Sequence, residues 1–200
     1  MKLENVALRR SEGEPAAGTE GFGGDDARTS IFDYWSMPEL VKWVDGGRFD
    51  GARLDQEQQE LRVWYGKLIR LTREHAFTRG EFYGLNHANK ENPAFGRLDG
   101  ETVSGHWLYA YLRRDASSGQ AFLVFANFHG TTTIRGARVR IPEHALGWLE
   151  LGRETRLRFQ DRLGNNWTFE SDTGPLPGEG FPLPDLPPLQ AMIIELRQMT

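Results

Sequence analysis

At Glu81 the apolar periodicity of this 200-residue chain changes from that of a helix to that of a strand, and no other feature constrains the fold as much. Upstream, Leu61, Trp64, Tyr65, Leu68, Ile69 and Leu71 recur at helical spacing. Downstream, Val, Ile, Phe, Tyr and Trp are enriched in short alternating runs separated by turn residues. Trp107, Tyr109 and Tyr111 alternate with Leu108, Ala110 and Leu112, Asp115 to Gly119 has turn chemistry, and Ala121 to Phe128 is the return strand of a hairpin. Both faces of this hairpin are apolar. That predicts a central position, between a second sheet on one side and the helix or another domain on the other. Further strands are predicted around Thr132 to Ile134, Val139 to Ile141, Thr155 to Asp161 and Asn166 to Ser171, the last two linked by Gly164-Asn165. A proline-rich connection from Pro175 to Pro188 leads to a final strand over Leu189 to Leu196. Strands of this number and spacing predict a mostly β chain built on an antiparallel Greek-key β-sandwich.

Two helices are predicted before it. Ser36 and Glu39 form a capping-box pattern, Pro38 suits a first turn, and Leu40, Val41, Trp43 and Val44 follow before Gly46-Gly47, giving a short helix near 37–45. Asp55, with Gln58 in the reciprocal position, caps a longer helix that ends before Gly80. At about 100° per residue its apolar positions span roughly 160°, wider than the ~100° stripe of a helix covered on one side, so it requires two neighbours. The chain accordingly divides into a loop-rich segment 1–52, a long helix 53–79 and a β domain 80–200.

Composition excludes several classes of function. The net charge is −4 with acids and bases interspersed, so no basic stripe favours nucleic acid or an anionic membrane. The absence of cysteine removes disulfides, thiolate metal sites and cysteine nucleophiles. No run of 18 apolar residues occurs and Met1 to Arg10 lacks a signal-peptide core, so a cytoplasmic location is expected for this chain. The five histidines are scattered without metal-ligand spacing, and neither metal nor cofactor is expected.

Three segments together resemble the carboxy-terminal part of an α-amylase-type enzyme of glycoside hydrolase family 13. Gly13-Glu14-Pro15, Gly21-Phe22 and Arg28-Thr29-Ser30-Ile31-Phe32-Asp33-Tyr34-Trp35 resemble the excursion after the eighth barrel strand. Leu54-Asp55-Gln56-Glu57-Gln58 running into Leu61 to Glu74 is similar to the last barrel helix. Ala121 to Phe128 and Leu186-Pro187-Pro188-Leu189-Gln190-Ala191-Met192 to Leu196 are similar to strands of the family's domain C sandwich. The order matches over roughly Glu14 to Leu196, whereas Met1 to Arg10 does not show the eighth barrel strand expected there. The resemblance implies that both helices are left over from a (β/α)8 barrel. It also implies that the retaining carboxylates of the family lie on barrel strands absent from this chain. Asn86-His87-Ala88-Asn89 does not supply the family's Asn-His-Asp motif, because Ala88 stands in the carboxylate's place.

By the same resemblance Arg28, Asp33 and Trp35 would lie near the substrate cleft of a complete enzyme; a salt bridge for Arg28 and loop packing for Trp35 are the simpler alternatives. Trp148 and Trp167, the latter beside Asn165 and Asn166, suit an exposed aromatic platform for starch, with core packing of Trp167 and Phe169 the preferred alternative. The expected function is that of a non-catalytic fragment supporting a missing barrel of a hydrolase or transglycosidase acting on α-glucans. The alternatives are an autonomous starch-binding module and an interaction module. A fragment or interaction module is expected to leave an apolar patch around Trp64, Leu68 and Leu71, inviting a homodimer.

Overall fold

The computed structural model describes residues 38–164 and 167–199. The chain divides into two compact units, Met1–Tyr65 and Gly66–Thr200. The first contains helix α1 (Pro38–Val44), a 3-10 turn (Asp45–Gly47) and the start of α2 (Gln56–Leu71), which runs across the division. The predicted cap of α2 forms reciprocally: the Asp55 carboxylate accepts from Gln58 N–H at 2.9 Å, and the Gln58 side chain accepts from Asp55 N–H at 3.1 Å. Between the helices the Asp45 carboxylate is buried and pairs with Arg48 and Arg53, and Arg62 lies 4.1 Å over the Trp43 ring.

The second unit is an antiparallel sandwich, as the alternating runs predict. Its main sheet holds β1 (Glu81–Gly84), β2 (Leu108–Asp115), β3 (Gln120–Asn127), β5 (Arg156–Asp161), β6 (Thr168–Asp172) and β8 (Ala191–Gln198), in the order β1-β2-β3-β8-β5-β6. The opposing layer is reduced to a ribbon of β4 (Arg138–Val139) and β7 (Phe181–Pro182). Thr132 to Ile134, predicted as a strand, contributes a single bridge between Ile134 and Leu186. Three short helices, α3 (His75–Thr78), α4 (Asn86–Asn89) and α5 (Glu143–Trp148), complete the unit, and none of them is marked by an apolar period long enough to read. From β3 the chain crosses to β4, returns as the β5–β6 hairpin, crosses again to β7 and places β8 between β3 and β5, the out-and-back course of a Greek key.

Alternation fixes which side chains meet inside. Leu108, Ala110 and Leu112 of β2, Phe125 and Leu123 of β3 and Leu157 and Phe159 of β5 line the inner face of the main sheet, and the second layer closes the core over them with Val139, Ile141, Leu146 and Phe181. Buried amides do the work of missing ladder bonds there. The Asn89 side chain accepts from Arg140 N–H and donates to Arg140 C=O, and that of Asn127 donates to Thr132, Leu186 and Pro187 carbonyls at 2.9–3.0 Å. At one edge β6 is exposed and charged, with Glu170 holding Arg158 at 2.9 Å, which discourages pairing with another chain.

The patch expected at Trp64, Leu68 and Leu71 does not form. Leu71 is buried where the chain turns toward α3, with Glu74 N–H on its carbonyl, and Trp64 and Leu68 are half-buried. The exposed apolar residues of α2 are Val63, Tyr65 and Ile69.

Candidate functional site: the outer face of the sheet

The face of the main sheet turned away from the sandwich core carries three zones. The first is a docked helical turn. Arg113, projecting from β2, donates to the carbonyls of Ala76 (2.9 Å), Phe77 (3.1 Å) and Gly80 (2.8 Å), so one guanidinium satisfies the end of α3, and Phe77 covers the buried ring of Phe122 at 5.0 Å. The second is an ionic network. Glu195 of β8, itself buried, pairs with Arg162 and Arg197, and Arg162 reaches on to Glu74 at 3.6 Å. Breaking one partner there would strand a buried charge.

The third zone is an open row of aromatic rings. Tyr109 and Tyr111 stand two residues apart on β2, and the ring of Phe82 from β1 lies 5.2 Å from Tyr111. Tyr109 lies 5.8 Å from Tyr111 and 6.4 Å from Phe128. Phe82 is 52% exposed, Tyr109 40% and Phe128 60%. Burial lifts the Tyr111 phenol above its ordinary range, with the Arg113 charge pulling the other way, so Tyr111 brings no charge to the row at physiological pH. Such a surface can stack on apolar or amphipathic partners.

Beside it, the β2–β3 turn is a static polar lock. The Asp115 carboxylate accepts from the Ser118 hydroxyl at 2.5 Å, from Ser117 at 3.0 Å and from Arg79 at 3.3 Å. His75 Nδ1 is 3.0 Å from the Arg79 guanidinium and 4.0 Å from Asp115, so arginine rather than serine stands at the imidazole. This is not the serine–histidine–carboxylate relay of nucleophilic catalysis. The hydrogen bond from Ser118, followed by those from Ser117 and the charge of Arg79, holds the Asp115 carboxyl down at about 2 against the opposing effect of burial. The folded value lies below the ordinary 3.8, so the stabilisation is complete above that pH and is lost as pH falls through about 2. Asp115→Asn is therefore expected to lower the urea midpoint at neutral pH, and the two proteins' midpoints should converge as the pH approaches about 2. A constant gap across that range would contradict the assignment.

Of the residues singled out in the sequence, Arg28, Asp33 and Trp35 lie outside the described residues, as do Asn165 and Asn166. Trp148 and Trp167 are not brought together as an exposed pair. Both are half-buried against the core, Trp148 5.4 Å from Tyr83, and Trp167 stacked 5.9 Å from Phe169 and edge-on to Phe181 at 5.6 Å. Sequence reasoning placed Tyr109 and Tyr111 on a strand but did not single them out as a surface. Their register beside Phe82 is what assembles the row. Among the described residues no group of three or more His, Asp or Glu is placed to hold a metal, and no helix is long and apolar enough to cross a membrane.

No family model matches the chain, and no curated protein matches it. Among solved structures it is similar to a GH36 α-galactosidase from Geobacillus stearothermophilus in complex with raffinose, at 13% identity and a TM-score of 0.45, over 73% of this chain. The chain spans 16% of the length of that enzyme.

Proposed function

We propose that the chain is a non-catalytic carboxy-terminal part of a glycoside hydrolase or transglycosidase of the α-amylase type, acting on α-glucans. Its second unit would cover and stabilise a barrel. The observation that supports this reading most is the aromatic row of Phe82, Tyr111, Tyr109 and Phe128. Apolar rings in mutual contact on a sheet face are usually covered, and a docking domain would remove them from water. Burying each ring would contribute roughly 1.5–3 kcal/mol. A starch module built on Trp148 and Trp167 is less favoured, because both indoles pack on the core.

The test supplies the full chain with a family 13 barrel fragment truncated before its own eighth strand. Co-purification is expected, and Phe82→Lys combined with Tyr109→Lys should abolish it without unfolding the chain, since both side chains face solvent. Recovery of the double variant at the wild-type level would overturn the reading, and so would a fragment that ignores the chain altogether.

A further inference from the structure

At the end of the sandwich where the β2–β3 turn meets the loop after α5 lies a cleft of about 520 Å³, within the range of small-ligand sites. Leu157 and Leu196, nearly inaccessible, lie beneath it with Ala121, and most of the surface it presents is polar. Arg114, whose side chain is only 12% exposed, crosses it and donates to the Trp148 carbonyl while pairing with the Glu150 carboxylate at 2.5 Å.

The backbone at Glu150 is unusual. Leu151 N–H bonds the Leu146 carbonyl and Glu150 N–H bonds the Gly147 carbonyl, both at 2.9 Å, which is the Schellman pattern ending α5. Glu150 occupies the left-handed position of that motif, at φ 60°, where glycine is the unstrained residue. A strained residue thus holds an acceptor, 75% exposed, at the mouth of the cleft, against a nearly buried donor.

The lining has two arginines, Arg114 and Arg197, and two glutamates, Glu150 and Glu195, so neither an anion nor a cation is favoured overall. Paired donors and acceptors in a largely polar cleft suit an uncharged ligand with many hydroxyls. We propose that this cleft binds a neutral saccharide, with Arg114 and Glu150 bonding its hydroxyls. The saccharide class rests on the function proposed above; the position of the site rests on the cleft itself.

The test is an amide NMR titration of the full chain with maltotriose and with raffinose, using citrate and choline as charged controls. Saturable shifts at Gly119, Glu150, Leu151 and Gln198 are expected with a saccharide, and the stronger of the two identifies a glucan or a galactoside site. Glu150→Gly should weaken that binding about tenfold, as expected for one lost charged hydrogen bond, while leaving the thermal midpoint unchanged or raised. A Glu150 that serves only the fold would leave saccharide binding unaltered whatever happens to the midpoint, which overturns the proposal. So would saccharide shifts confined to other surfaces, or citrate or choline matching the saccharides. Loss of saccharide binding alongside intact capture of the barrel fragment would refute the cleft alone, whereas cleft binding without capture would refute the docking role alone.

Discussion

Phe181→Ala is expected to lower stability by about 3–5 kcal/mol, the range for deleting a fully buried aromatic ring. Phe181 lies in the two-residue strand β7 and is completely inaccessible. Its ring is 4.6 Å from Phe159 and 5.8 Å from Phe125 of the main sheet, and 5.6 Å and 5.7 Å from Trp167 and Phe169. The ribbon it belongs to has just two paired positions, Arg138 with Pro182 and Val139 with Phe181, and its backbone bonds run within the second layer rather than to the main sheet. Phe181 is the largest of the second-layer side chains in the core, beside Val139, Ile141 and Leu146, and the rings around it would not readily fill the space it leaves. Urea unfolding followed by tryptophan emission measures the loss, with Trp167 as a local reporter. A change below about 1.5 kcal/mol would show that β7 is held by something other than this ring.

Gly80→Ala should also be severe, at about 2–3 kcal/mol, by overpacking rather than by a cavity. A methyl group at Gly80 would stand 2.4 Å from the Ala76 carbonyl oxygen, 2.5 Å from the Arg114 carbonyl oxygen and 2.8 Å from Ala76 Cα. These are backbone atoms, which cannot move aside as the tip of a side chain can. The only relief is to lift α3 off the sheet, and that would pull its carbonyls away from Arg113. The thermal midpoint should fall by roughly 5–10 °C. Gly147→Ala is the matched control, since nothing lies within 4 Å of the added methyl and the site is helical. Equal midpoints for the two variants would refute the steric account.

The β2–β3 hairpin and the α2 cap were legible because each is specified locally, by two β-rich apolar runs around the turn at Asp115 to Gly119 in one case and by Asp55 and Gln58 in the other. The second layer was not legible for a physical reason. Asn89, Asn92 and Asn127 satisfy its backbone through side-chain amides, and such bonds leave no periodic signature. Strand β7 hides in the proline-rich stretch that reads as a connection, and Pro182 is tolerated there because the ribbon has no further strand to accept its missing N–H. Helix α5 did have a signal, Pro142 followed by Glu143, that the prevailing strand pattern masked. The aromatic row was half legible. Tyr109 and Tyr111 share a face by alternation alone, but Phe82 joins them through the pairing of Phe82 with Arg113, which sequence spacing does not reveal. The cleft was not legible, because it depends on a left-handed glutamate and on strands distant in sequence.

Strand β8 lies between β3 and β5 although it comes last of all the strands. During synthesis on the ribosome, the two flanking hairpins can form early, but they face each other across a gap until residues 191–198 have emerged. In that interval both β3 and β5 offer unpaired edges of Phe, Leu and Val to any neighbouring nascent chain. Chaperone demand should therefore peak in the interval before residues 191–198 emerge, and ribosomes that stop before them would release a product primed to aggregate rather than a smaller stable domain.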